Sequence, residues 1–371
     1  MDDEIVIIGA GISGLATALA LHRKGITSIK VIEKSQELTT SGAAIIITPN
    51  AWLLLHHLGV ASLLQHTCFP LQYGECISLH DSSRTKLLGR GEIRCIKRID
   101  LIKALADSLP NHTIQYGRQV VSVQIDQLTS YPVLHLDDGS VIKAKVVIGC
   151  DGVNSRIGKY IGLNPPKFYP ICVVRGLSYY HNGHDFGNQF NMMKNKHVQL
   201  GIVPVNQHFV YWFTTRSWTS KDSRSSRNQN NIKEATIKVL VGFPKREIEL
   251  IRKSKQESLH LTAIKYRAPL DFLMSNFRKG RVTVAGDAMH VMGPFLAQGG
   301  AASLEDAMVL ATCLTQNMHS IEQGLDDYFK LRKIKLFWLA LHTYLIGTTL
   351  HSSFIFKIFS ILLLATLFRN S

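Results

Sequence analysis

Apolar and polar positions alternate along this chain in two distinct rhythms. Residues 5–8 read IVII, an unbroken apolar run of the kind found in a central parallel strand buried on both faces. A turn of small residues follows, and "ISGLATALALHRKG" then predicts a helix. "IKVIEKS" predicts a second strand ending at Glu33. Similar buried runs recur at Val146 to Ile148 and in "RVTVAGD" near residue 284. "TPNAWLLL" places a turn or helix start at Pro49-Asn50. "RIDLIKALADSLP" has the stripe Ile99, Leu101, Ile102, Leu105 and Leu109 of an amphipathic helix, stopped by Pro110.

The second rhythm has period two. "VVSVQID" and "PVLHLDDGSVIKAKVV" predict short antiparallel strands with a hairpin turn at Asp138-Gly139. "VQLGIVPVNQHFVYWFTTRSW" predicts two longer strands joined near Asn206. Alternation puts Tyr211 and Phe213 on one face and Trp212 on the other. Long helical patterns close the chain. The expected architecture is α/β, with a Rossmann-like nucleotide domain of non-contiguous segments, an inserted mostly β domain and C-terminal helices. The expected boundaries are 1–75, 96–165 and 278–334 for the first domain and 76–95 with 166–277 for the second. An apolar helical segment is expected at 335–371.

Composition narrows the partners. The 371 residues are 46% hydrophobic and 19% charged, with a formal net charge of +15. Such charge favours anionic partners, whether nucleic acid, an acidic membrane surface or a phosphorylated cofactor. The basic run from Lys221 to Lys255 carries no zinc-finger spacing and no aromatic platform, so it reads as a solvated, mobile surface segment and nucleic acid is not expected. The six cysteines form no C-x-x-C pair and no metal-ligand cluster, so no metal is expected and reducing conditions suit the chain. The N-terminus has no signal- or transit-peptide profile. A cytoplasmic or peripherally membrane-associated monomer or weak homodimer is expected; a plastid location would need a transit peptide ahead of this chain. Between Leu336 and Phe368 the only charged residue is Lys357. The uncharged apolar stretch after Lys357 is shorter than the ~20 residues of a bilayer span, and His351, Ser352 and Ser353 interrupt the stretch before it. Packing on the nucleotide domain is expected, with peripheral membrane contact through 336–368 as the alternative.

Two stretches carry chemistry. Gly9, Gly11 and Gly14 have G-x-G-x-x-G spacing between a predicted strand and helix, which permits a tight turn, approach of a pyrophosphate and close helix packing. Glu33, at the end of the second strand, is placed to accept hydrogen bonds from an adenosine ribose and disfavours a 2′-phosphate there. These residues alone do not separate NAD from FAD. The second stretch is "AGDAMHVMGPFLAQGGAASLEDA", residues 285–307. Asp287 and His290 there are an acid–base pair or part of a pocket wall. Asp306, inside the following helix, is expected to point away.

The order G-x-G-x-x-G, strand-end Glu, "CDGVNS" and "AGDAMH…P…QGG…LEDA" resembles the group A FAD-dependent monooxygenases of the para-hydroxybenzoate-hydroxylase fold. Nearly the whole chain takes part, and the nearest likeness is to plant enzymes related to salicylate hydroxylase and zeaxanthin epoxidase. The resemblance implies tightly bound FAD, NADPH or NADH as transient reductant, and O2. Oxygen insertion into an organic, apolar or aromatic secondary metabolite would proceed through a flavin C4a-hydroperoxide. It further implies that Gly9, Gly11, Ile12, Ser13, Gly14, Glu33 and Lys34 hold the ADP half. Ala44, Arg98, Val121 and Asp151 with Gly152 are implied as further FAD contacts. Gly286 and Asp287 would reach the ribityl chain, and Gly299, Gly300 and Ala301 the ring. Pro294, Gly299 and Gly300 are implied as flavin-positioning backbone at the reacting centre, with His290 a weaker catalytic candidate. Arg94, Tyr211, Phe213 and Phe295 are candidate substrate contacts, though a surface ion pair explains Arg94 equally well.

Two positions depart from the family pattern. Val291 stands where a proline is usual, which is expected to loosen the flavin-facing loop. Ala297 replaces a glycine; left-handed backbone there would cost ~1–2 kcal/mol. These changes leave two rivals: an oxidase, dehydrogenase or cyclisation catalyst of the same fold, and a non-catalytic FAD-binding scaffold or regulator. A plain NAD dehydrogenase leaves the Asp287 motif unexplained.

Overall fold

The apolar run Ile5–Ile8 lies inside a six-stranded sheet, parallel to Val146–Gly149 on one side and Ile29–Ile32 on the other. The computed structural model describes residues 5–39, 43–87, 91–219, 222, 229–317 and 319–349. Val282–Val284 extends the parallel ladder beyond Val146–Gly149, so segments far apart in sequence build one nucleotide-type sheet. Helices Ile12–Arg23 and Gly299–Gln316 pack on each other beside it. The predicted antiparallel excursion is present as Val120–Ile125, Pro132–Leu136 and Val141–Lys143.

The inserted unit is a seven-stranded sheet. Its longest strand, Lys167–Tyr179, lies next to the edge strand His260–Tyr266, and Phe209–Ser217, Val198–Pro204, Gln189–Asn195, Tyr73–Ser78 and Arg84–Leu87 follow in order on its other side. The expected 76–95 segment divides. Tyr73–Ser78 joins this sheet, whereas Ile93–Lys97 pairs with Ala44–Ile47 in a separate small sheet. Two glycines let large rings lie flat on opposite faces. A Cβ on Gly176 would sit 2.4 Å from the Trp212 ring, and one on Gly201 would sit 2.3 Å from the Phe213 ring.

The basic segment is not a mobile surface stretch in its described part. It forms helices Gln229–Val239 and Lys245–Arg252 on the outer face of the sheet. Ile232, Leu240, Leu250 and Ile251 are buried with Trp212 and Phe243. Helical spacing of a few apolar residues among many charges is enough to anchor such elements, because one narrow stripe suffices for burial. Residues 220–221 and 223–228 lie outside the described residues.

At the C-terminal end a single helix, Ile321–Thr349, runs through the expected boundary at residue 334. Leu336, Ala340 and Leu345 are buried. Tyr344 packs 5.2 Å from Tyr266 of the inserted sheet, and a Cβ on Gly347 would meet the Phe295 ring at 2.5 Å. This helix therefore bridges the two units. The rest of the expected 335–371 segment, from residue 350, lies outside the described residues. Among the described residues no helix is long and apolar enough to cross a membrane.

Candidate functional site

A cleft of about 1950 Å³ lies between the parallel sheet and the inserted sheet. That is about twice the upper end of the ~300–1,000 Å³ typical for one drug-sized ligand, so a dinucleotide and a second organic molecule fit together. Its floor is the glycine turn. Gly9 has φ +104°, and a Cβ there would lie 2.6 Å from the Cys150 carbonyl oxygen. A Cβ on Gly14 would lie 1.9 Å from the Gly9 carbonyl oxygen, so Gly14 brings helix and strand together and does not line the cleft. Gly11 is different: a Cβ there meets nothing within 4 Å. The space above it is open to the cleft.

Helix Ile12–Arg23 has no side-chain cap and no acidic residue in its first turn. Its N-terminus, with Gly11, Ile12 and Ser13, faces the cleft. Helix Gly299–Gln316 likewise lacks a cap and an early acid, and Gly299 and Gly300 line the same cleft. Two uncapped N-termini offer unpaired N–H groups and positive dipole ends to anionic or carbonyl oxygens. Their presence on one cavity fits a dinucleotide bearing both a pyrophosphate and an electron-rich ring. No metal-holding cluster of His, Cys, Asp or Glu occurs among the described residues.

Glu33 is anchored before any ligand arrives. Its two oxygens accept from Ala10 N at 2.8 Å and Ser35 N at 2.9 Å, which leaves further lone pairs directed at the cleft. Lys34 and Ala44 also line it. Asp151 lines the cleft while its carboxylate accepts from Ser155 Oγ at 2.5 Å and Arg156 N at 2.7 Å, capping the next helix. Val120, not Val121, lines the cavity, and the Val121 side chain is exposed. Arg98 opens its helix with a buried Nε that has no partner. Burial lowers its pKa, opposed by the charge of Asp287.

The "GDAMH" stretch separates into two roles. Asp287 is exposed to the cleft. His290 is fully buried, off the cleft wall, and its Nε2 lies 2.6 Å from Asp306 Oδ2. A histidine so enclosed has no route to a substrate proton. Asp306 stays off the cleft wall, but it does not face solvent either. It is fully buried, accepts from Gly286 N at 2.9 Å and from Arg332 Nε at 2.8 Å, and closes a network that pins the motif. Burial alone would raise the Asp306 carboxyl, but His290 and Arg332 hold it below its ordinary value. Arg332, from the C-terminal helix, has no local signal in the sequence that marks it as part of this network. Helical spacing places Asp306 on the buried side with Ala302 and Leu310, a hint that its neighbour Glu305 obscures.

Arg94 does not line the cleft. It donates to the Cys68 and Gln65 carbonyls at 2.9 and 2.8 Å, pairs with Glu92, and stacks over Trp52. Tyr211, Phe213 and Phe295 do line it, joined by Phe190 stacked 6.5 Å from Phe213. Arg175 and His260, absent from the expected set, face the same space.

The loop before Gly299 is firmly held despite Val291. Arg267 donates its backbone N–H to the Val291 carbonyl and its buried guanidinium to the carbonyls of Met289, Ala288 and Asn164, so one residue holds the stretch that a proline would otherwise stiffen. Ala297 is left-handed, with φ 53° and ψ 26°. Replacing it with glycine removes the Cβ strain but adds freedom to the unfolded chain; Ala297→Gly is expected to raise stability by about 0.5–1 kcal/mol, read as a higher urea midpoint.

Comparison with known proteins accords with this cleft. A family model described as FAD binding domain matches residues 2–334. Monooxygenase 1 of Arabidopsis thaliana is 40% identical, covering 98% of this chain and 95% of that protein. Monooxygenase 2 of the same plant is 33% identical over 93% and 89%. A crystal structure of Klebsiella pneumoniae HpxO with FAD and uric acid superposes with a TM-score of 0.83 at 22% identity, covering 95% of this chain and 90% of that one.

Proposed function

Because the chain belongs to the FAD binding domain family and is a group A FAD-dependent monooxygenase, we propose that it draws electrons from NAD(P)H and inserts one atom of O2 into an aromatic or apolar secondary metabolite. The observation that carries the substrate side is the shared cleft. One wall is the glycine cradle and the other is an aromatic sheet face bearing Tyr211, Phe213 and Phe190. Likeness to two Arabidopsis thaliana monooxygenases supports a plant-type role. The HpxO structure holds a flat heterocycle together with FAD.

FAD supplies electron storage and oxygen activation, which side chains cannot provide. The chain's own part is binding, orientation and exclusion of water. Gly11, Ile12 and Ser13 present the first helix N-terminus to the pyrophosphate. Glu33, already fixed by Ala10 and Ser35, takes the ribose hydroxyls. Asp287 takes ribityl hydroxyls, and Arg98 balances its charge from the side. Gly299, Gly300 and Ala301 offer backbone N–H groups where ring charge collects, the arrangement by which preorganised donors stabilise an anion at no reorganisation cost. Buried Tyr211, Val173 and Ile264 keep water from the reacting centre.

Purified protein should be yellow, and should oxidise NADPH or NADH faster with an aromatic metabolite present, giving a product one oxygen atom heavier. Flavin reduction by substrate without NAD(P)H, with no oxygen gained, would instead establish the oxidase or dehydrogenase reading.

A further inference from the structure

Helix Ile321–Thr349 carries a glycine, Gly347, in its last turn. Glycine is a poor helix former, and contact explains its use here. A Cβ at that position would meet the Phe295 ring at 2.5 Å and the Tyr169 ring at 2.7 Å. A Cβ on Gly293 would meet the Phe295 ring at 2.2 Å. Phe295 therefore sits in a slot that two glycines leave open, one from its own loop and one from the C-terminal helix. The helix end is fixed beside that slot. Tyr344 lies 5.2 Å from Tyr266, and the Tyr169 hydroxyl donates to the Thr343 carbonyl at 3.4 Å. Tyr169 in turn meets Phe295 edge-on at 5.5 Å.

Between Tyr344 and Gly347 the half-buried Ile346 reaches the cleft. Among the described residues it is the only residue of this helix that lines it. Phe295 packs with Val173 and Ile264 in one apolar cluster, and all three line the cleft as well. None of these four side chains can donate or accept a hydrogen bond, so the wall they offer discriminates by size and not by charge. Its place in the chain also sets it apart. The family match stops at residue 334, so it takes in the glycine cradle and the flavin-facing loop but not this end of the helix.

We propose that the end of the C-terminal helix sets the size of substrate the cleft accepts, with Ile346 as the gauge and Gly347 as the positioning residue that seats Phe295. The substrate class is an aromatic compound carrying an apolar chain that ends against Ile346. This inference rests on reading the cleft as the substrate site of a monooxygenase.

The test titrates FAD-loaded full-length protein with para-alkylphenols from methyl to octyl, followed by perturbation of the flavin absorbance. Affinity should climb about fourfold per methylene seated, then fall beyond the length that meets Ile346. Ile346→Ala should move that optimum to a longer chain and Ile346→Phe to a shorter one. FAD affinity, read by fluorescence titration, should stay within about twofold in both, which a general loss of structure would not allow. Gly347→Ala should drive Phe295 from its slot and shorten the optimum. Adding Phe295→Leu, which makes room for the new methyl group, should lengthen it again. If the Ile346 variants fail to hold FAD, this glycine and phenylalanine pair reads the same wall. No binding of any member, an optimum unmoved in both Ile346 variants, or one unmoved in Gly347→Ala would overturn the proposal. Such a result with brisk NAD(P)H consumption and an oxygenated product would leave the monooxygenase reading standing. Absence of NAD(P)H consumption with every compound would strike that reading itself, whatever the binding series shows.

Discussion

An Asp306→Ala variant is expected to lose about 3–5 kcal/mol of folding stability, the usual cost of removing one partner from a buried ion pair. The change would leave the Arg332 guanidinium with only Glu305 opposite it, the His290 Nε2 without its acceptor, and the Gly286 N–H unpaired. Each is a buried polar group that water cannot reach, so the losses compound. Urea denaturation of wild type and variant measures the difference directly. Retention of full stability would show that the network is dispensable. The pH dependence has a defined sign. Since the folded carboxyl sits below its ordinary value, its contribution is complete above about pH 4, the unfolded range of an aspartate. It fades as the pH falls through the folded value. Asp306→Asn should therefore flatten the acid limb of the stability curve and leave its slope above neutral pH unchanged.

Asp287→Ala, nineteen positions earlier, is expected to behave in the opposite way. Its carboxylate faces the cleft and holds no part of the buried network. Stability of the FAD-free protein should change by no more than about 0.5 kcal/mol, as for surface substitutions elsewhere. FAD affinity should fall by about 10–150-fold, the worth of one to two charge-assisted hydrogen bonds to ribityl hydroxyls. Fluorescence titration of the stripped protein with FAD measures this. An unchanged affinity would remove Asp287 from the cofactor site. The two variants together separate a ligand-binding aspartate from a locking one within a single motif.

The glycine turn, its strand and Glu33 were legible because each is a local matter. Backbone room at Gly9, a close approach at Gly14 and an open face at Gly11 are set by side-chain absence, which a sequence displays directly. The split of Tyr211 and Phe213 from Trp212 was legible for the same reason, since strand alternation is fixed by pleat geometry. Which of those faces looked at the cleft was not, because that depends on where two sheets meet.

The other misses follow from the same limit. The helices at Gln229–Val239 and Lys245–Arg252 were hidden because their few apolar residues are outnumbered by charges, and only the sheet beneath shows why few suffice. Val121, expected as a backbone contact to the cofactor, turns its side chain outward while its strand neighbour Val120 lines the cavity, a choice of face that only the fold reveals.

By itself the sequence determined that a dinucleotide cradle exists, that its segments are scattered along the chain, and that FAD monooxygenase motifs stand in order. Those features depend on short-range spacing and on which residues lack a side chain. Tertiary structure alone decided that His290 is a buried strut, that Asp306 and Arg332 lock the stretch from Gly286 to His290, and that Arg267 holds the residues that follow. Each of these is a pairing between residues distant along the chain. Burial turns such pairings into large energies, and burial is a property of the folded whole.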